Sequence, residues 1–228
     1  MIEPYHEVVH LGLSGRVAIV AGGTYGIGLA VARKLCDSGV HVVVTCDEGD
    51  ANEERADLVL SGRSGSASVV PVVAGKADAV SGMIEDVFAY RGWLDVYVHH
   101  VTSPDLSPLL DASAALIKAM GEGGRVVITG LSVIPVDRVV RRLALELAPH
   151  GIAVNAVATP FVDHGPMGMD PDLVARLAIR CPSGRVTVPD DVADVVALLC
   201  APEAGWLRGQ VIVVDGGLDL AGTSPETR

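Results

Sequence analysis

The chain has 228 residues and a formal net charge of −11, from 17 basic and 28 acidic side chains; it is 50% hydrophobic but only 4% aromatic. That apolar content offsets the ordering entropy of a chain this long and excludes disorder, while the excess of acid leaves no net field to draw a nucleic acid. No run approaches the roughly 18 to 20 uninterrupted apolar residues of a membrane span, so no membrane partner is expected.

The first fourteen residues, MIEPYHEVVHLGLS, hold two glutamates and no lysine or arginine, unlike the basic start of a secretory signal. Cys36, Cys46, Cys181 and Cys200 are scattered, without Cys-x-x-Cys spacing or a histidine cluster. Buried thiols are expected, with no metal site, in a soluble cytoplasmic protein. Fourteen arginines against three lysines fit a GC-rich bacterial genome.

In chain order, RVAIVA (16–21) is a β-rich apolar run that ends in glycines. A helical pattern follows from Ile27 to Asp37, with Leu29, Val31, Ala32 and Leu35 inward and Gly39 stopping it. HVVVTC (41–46) reads as a second strand and SVVPVV (68–73) as a third, placed near an edge by Pro71. Residues 79–91 read as a helix, LDVYVHHV (94–101) as a fourth strand and GRVVITG (124–130) as a fifth. A helix over 137–149 precedes strand IAVNAVAT (152–159); helices over 171–180 and 189–201 precede the last strand, QVIVVDGG (210–217). Continuous apolar strands alternating with helices predict one α/β domain over 1–228, a doubly wound parallel sheet of Rossmann-like type. Residues 1–12 read as an extension and 218–228 as a tail.

After the first strand comes Ala21-Gly22-Gly23-Thr24-Tyr25-Gly26-Ile27-Gly28, opening directly into a helix. Glycines there let the backbone turn tightly and approach a pyrophosphate seated on the helix N-terminus. A glycine turn that merely packs helix on strand is the bland alternative.

Gly22-x-x-x-Gly26-Ile27-Gly28 resembles the glycine motif of the short-chain dehydrogenase/reductase family. GWLDVYVHH (92–100) is similar to that family's fourth strand and GGRVVITGLS (123–132) to its fifth. LALELAPHGIAVNAVATP (143–160) is similar to its following helix and sixth strand, and residues 183–217 to its C-terminal region. The resemblance spans 13–220. It implies dinucleotide binding by Gly22, Thr24, Tyr25, Gly26, Ile27 and Gly28, a small-molecule substrate, and a homo-oligomer, dimer or tetramer. In that family an acidic residue at the end of strand two selects NAD, and a basic one accepts the phosphate of NADP. Here the segment is Thr45-Cys46-Asp47-Glu48, with Asp47 where NADP users often carry arginine. NAD is therefore expected and NADP disfavoured, if a dinucleotide binds at all.

The family's chemistry uses a tyrosine acid and a lysine four residues later, with a serine and an asparagine. Four residues before Lys34, Lys76 and Lys118 stand Ala30, Val72 and Ala114, so Tyr-x-x-x-Lys does not occur. LALEL (143–147) follows Ser132 almost at once, and only residues 103–122 separate the fourth-strand motif from GGRVV. The fold is therefore expected to be truncated around the helices after strands four and five. Gly130 and Leu131 fall where the family's serine pair lies, with Ser132 one position beyond. The Asn-Asn-Ala-Gly after strand four is His99-His100-Val101-Thr102, and a threonine after strand six is replaced by His164.

His99 and His100 are the first candidates for replacement chemistry. They sit at a strand's carboxyl end beside the topological switch point, where alternation points at most one into the cleft. Imidazole titrates near neutrality, so a histidine mechanism predicts a break there in a pH–rate profile. Histidines bonding backbone at a strand end are the alternative. Asp163-His164 would sit over the same cleft or form a solvated loop pair. Ser132 and Thr129 can bond a substrate carbonyl or satisfy a turn. Asp137 reads as a helix N-cap, and Arg138, Arg141 and Arg142 as a solvated helix face. Tyr25 reads as shielding the cleft, and Met167 and Met169 as part of a substrate-covering loop. Three functions stay open. The first is non-redox acid–base chemistry (cyclisation, isomerisation or elimination) on a neutral organic molecule. The second is NAD-dependent oxidoreduction with a histidine proton donor, and the third a silent binding or oligomerisation partner.

Overall fold

The computed structural model describes residues 11–47, 52–72, 79–101, 105–131, 136–165 and 168–221. Its strands are β1 (Val17–Ala21), β2 (His41–Asp47), β3 (Ser66–Val72), β4 (Leu94–His100), β5 (Met120–Leu131), β6 (Ala153–Thr159) and β7 (Val211–Val213). Its helices are α1 (Gly26–Asp37), α2 (Glu53–Leu60), α3 (Ala79–Arg91), α4 (Ser107–Asp111), α5 (Ser113–Ala119), α6 (Val136–Leu147), α7 (Pro171–Arg180), α8 (Pro189–Cys200) and α9 (Leu218–Ala221). The strands form one parallel sheet in the order β3-β2-β1-β4-β5-β6-β7.

Apolar side chains leave both faces of the sheet, and each face is covered. Tyr97, Ile128 and Val154 pack with α3, α4, α5 and α6, while Val98, Val127 and Val157 pack with α1 and α8. Burial of both faces explains why the strands read as unbroken apolar runs. Pro71 falls in β3, an edge strand, where a missing N–H costs least. All four cysteines are buried free thiols. Among the described residues no helix is long and apolar enough to cross a membrane.

Several expectations need correction. Residues 103–122 hold two short helices not expected from the sequence, α4 and α5, which bury Leu109 and Leu116 against the sheet. β5 begins at Met120, paired with Leu94 ahead of a register shift. The last strand stops at Val213, not at Gly217. The Asp215 carboxylate accepts the N–H groups of Gly217 and Asp219, turning the chain through Gly216 and Gly217, at φ +64° and +85°. The expected tail therefore begins as α9, with Leu218 buried beside Leu177, Cys181 and Val186. Asp137 is no cap; it lies in the first turn of α6, where it complements the helix dipole.

Candidate functional site

The site is built at the carboxyl ends of the central strands. The chain runs outward from β1 through β2 to β3, then crosses back to β4 on the other side of β1. The switch point is thus between β1 and β4, where Ala21 is directly opposite His99. The glycine loop leaves β1 at that residue.

Thr45 on β2 fixes the loop, its carbonyl accepting both the Gly22 and the Gly23 N–H at 3.0 and 3.2 Å. Gly22 has φ +74°. A Cβ at Gly28 would stand 2.1 Å from the Gly22 carbonyl oxygen, so no other residue fits without moving the loop. Thr24 and Ile27 are buried. No side chain caps α1 at Tyr25 and no acid stands in its first turn. The leading N–H groups and the positive end of the dipole therefore face outward, and this backbone cradle fits a nucleotide diphosphate.

Beside the cradle, alternation splits the two histidines as expected. His99 follows Tyr97 on the α3–α6 face, and its Nδ1 lies 3.1 Å from the Tyr97 hydroxyl. With the phenol as donor the His99 proton is on Nε2; with Nδ1–H as donor the phenol oxygen accepts. Tyr97 is fully buried and its phenol is held well above its ordinary value, so it stays protonated. Sequence reasoning missed Tyr97, although its i, i+2 relation to His99 on a strand was the available signal.

His100 faces the α1–α8 side, opposite Thr129 of β5. Its Nδ1 is buried without a partner, as is the Thr129 hydroxyl. The loop after β6 brings His164 to the same side. This loop is tied down by the Asp163 N–H on the Thr187 carbonyl at 2.8 Å. The His164 ring is 5.6 Å from that of Tyr25 and rests on Gly26, where a Cβ would lie 2.9 Å from Cε1. Its Nδ1 too is buried and unpartnered. Gly26 has φ +54°, so a side chain there would be strained as well as obstructed.

Burial keeps these imidazoles neutral. Desolvation draws His99 and His100 down to about 4, helped in His99 by His100 and in His100 by His164, with a hydrogen bond to the Thr129 backbone opposing in His100. His164 is also lowered by desolvation, with Asp163 opposing. The expected break near neutrality therefore shifts to acid for His99 and His100.

The structure thus brings His100, His164, Thr129 and Tyr25 to one side of the cradle, and His99 with Tyr97 to the other. Ser132, Glu48 and Met167 lie outside the described residues. Asp47 is placed by its backbone, opposite Val72 at the end of β2. Met169 packs against Leu177, Cys181, Val186 and Leu218. Arg138, Arg141 and Arg142 are exposed on α6. Among the described residues no group of three or more histidine, cysteine or acidic side chains is placed to hold a metal ion.

Comparison with known proteins agrees with this architecture. The family model described as short chain dehydrogenase matches residues 16–129, and one described as enoyl-(acyl carrier protein) reductase matches 124–219. An uncharacterized oxidoreductase of Methylorubrum extorquens is 30% identical over 244 residues, covering 90% of this chain and 98% of its own. A tropinone reductase homolog of Arabidopsis thaliana is 32% identical over 254 residues, covering 93% and 82%. A short chain dehydrogenase of Burkholderia cenocepacia, solved in complex with NADP, superposes with a TM-score of 0.80 at 25% identity, covering 91% of this chain and 99% of its own. With the glycine cradle at the switch point and these matches over nearly its whole length, the chain belongs to the short-chain dehydrogenase/reductase family.

Proposed function

We propose that the protein is a nicotinamide-dinucleotide-dependent reductase of a small neutral carbonyl compound, with His99 as a neutral hydrogen-bond donor to the carbonyl oxygen in place of the family's tyrosine acid. The cradle carries this reading: Gly22, Gly28 and the uncapped start of α1 leave room and N–H groups for a diphosphate. The relatives' names, oxidoreductase and reductase, favour redox chemistry over the non-redox reading. NAD is the preferred form, because Asp47 and Glu48 follow Thr45, whose carbonyl anchors the loop; the Burkholderia relative's NADP makes this preference one to measure.

A bound reduced dinucleotide supplies hydride. His99 donates its Nε2–H to the substrate carbonyl oxygen and stabilises the charge that develops there, as a neutral electrophile rather than an imidazolium. This role takes the Tyr97 phenol as the donor to Nδ1, which keeps the proton on Nε2. The alkoxide takes its proton from solvent water, giving an alcohol.

Non-redox chemistry remains the second reading, favoured by the absence of Tyr-x-x-x-Lys. Calorimetric titration with NADH and NADPH, followed by a screen of ketones and aldehydes for NADH consumption, separates them. Micromolar NADH binding, weaker NADPH binding and turnover lost in His99→Gln support the proposal. Absence of binding at millimolar nucleotide would sink it, leaving the non-redox or silent-partner readings.

A further inference from the structure

We propose that His100 and His164 form a proton-coupled clamp on the dinucleotide's diphosphate, standing in for the basic residue that the glycine loop lacks. This inference rests on the dinucleotide reading above. Residues 21–28 contain no lysine or arginine, so backbone N–H groups alone face the anion there. His164 lies on Gly26 at the start of α1, and His100 comes from β4 on the same side of the sheet. Three buried polar atoms on this side of the sheet lack a hydrogen-bond partner, the Nδ1 atoms of both histidines and the Thr129 hydroxyl, whose residue is 1% exposed, while the His100 ring also meets the Thr129 backbone. Orphaned buried polar atoms are uncommon, and three together beside an uncapped helix N-terminus mark a place for a ligand.

The surrounding charges permit the coupling. Tyr25 packs on His164 from the glycine loop and Asp163 acts on His164 from its own loop, while His99 points to the opposite face of β4. Arg33 of α1 and Asp190 of α8 border the groove beside Gly26 and neutralise each other in an ion pair. Of these, Asp163 is the one anion bearing on His164 without a cationic partner among the described residues, and its carboxylate is engaged by the Gly165 N–H. In the free protein burial disfavours imidazolium at both positions. A diphosphate beside them favours the charged form, so binding draws in a proton. Binding is then tightest in acid and weakens as pH rises through the histidine value of the complex, by up to about tenfold per pH unit for one linked proton.

The test is calorimetric titration with NADH, ADP and adenosine across pH 6–8.5, in buffers of unlike ionisation enthalpy. NADH and ADP should bind with uptake of up to one proton and weaken with pH, whereas adenosine should bind without pH dependence. In His164→Gln and His100→Gln, checked for folding by circular dichroism, proton uptake should shrink and affinity at pH 6 should fall to its pH 8 level. Nucleotide binding that is flat with pH and takes up no proton in the native protein overturns the clamp and leaves the dinucleotide reading standing. Uptake that persists in both variants does the same. No binding at any pH removes both.

Discussion

Lowering the pH from 7.5 to 5 charges histidines in the unfolded chain that the folded chain keeps neutral. His99 and His100 each fall from an ordinary 6.5 to about 4, chiefly through burial. Above 6.5 neither binds a proton in either state, so stability is untouched. Below it the unfolded chain takes up protons and the folded one does not, so stability falls until the pH reaches about 4. At pH 5 each histidine sits about 1.5 below its unfolded value, a loss of about 2 kcal/mol apiece. Both folded imidazoles are neutral at pH 5, so their mutual repulsion does not enter and about 4 kcal/mol is expected for the pair. At about 2–4 °C per kcal/mol for a chain of this size, the melting temperature should drop by roughly 8–16 °C. Circular dichroism melts at half-unit pH steps measure it. Asp105 and Asp191, whose carboxyls are lowered, have an ordinary value of 3.8 and contribute mainly below this window. The double variant His99→Gln/His100→Gln should lose most of the slope. A melting temperature flat from pH 7.5 to 5, or an unchanged slope in the double variant, would refute the neutral, buried imidazoles.

Gly28→Ala forces the glycine loop to move, since its Cβ would meet the Gly22 carbonyl at 2.1 Å. Overpacking of about 1–3 kcal/mol should appear as a five- to hundredfold loss of NADH affinity by calorimetry; unchanged binding would mean the loop is no cradle. Tyr97→Phe removes the hydroxyl on His99 Nδ1 and should destabilise by about 1–3 kcal/mol in urea unfolding. It should also move the ¹⁵N shifts of the His99 ring toward mixed tautomers, and unaltered shifts would contradict a tautomer held by Tyr97. Arg125→Met strips donors from the carbonyls of Gly123, Gly124, Ala201 and Pro202, and should cost about 2–4 kcal/mol in the same assay. A loss under about 1 kcal/mol would show that this buried guanidinium is poorly compensated.

The sheet was legible because both its faces are buried, which writes β1 and β6 as unbroken apolar runs. The α2 segment EERADLVL was not, since its apolar stripe is short and it leans on its packing instead. α4 and α5 escaped because comparison with a longer family pattern made 103–122 look like a deletion, although Leu109 and Leu116 mark two helical turns on the core. Within the site, the glycine spacing announced the cradle, and alternation announced that His99 and His100 diverge. The fall of both imidazoles to about 4 was hidden, because it arises from desolvation by neighbours distant in sequence. Arg125 was equally opaque: its carbonyl partners at Ala201 and Pro202 lie 76 and 77 residues away.

The two halves of the site differ in what a substitution can remove. A diphosphate cradle is made of backbone N–H groups and the space above glycine, so it survives change in every side chain around it. A proton or hydrogen-bond donor to the substrate must be a side chain, and that is the half where this chain departs from its family. One step along β4 divides the proposed replacements. His99, on the α3–α6 face, pairs through Nδ1 with the Tyr97 hydroxyl, whereas His100, on the α1–α8 face, shares its side with His164 and the cradle. Because successive residues of a strand serve opposite faces, the two roles should separate under mutation. His99→Gln should lower turnover with nucleotide affinity unchanged, and His100→Gln should weaken nucleotide binding at pH 6 while turnover at saturating nucleotide holds. If both variants lose both properties together, the histidines act as one group and the division along β4 is wrong.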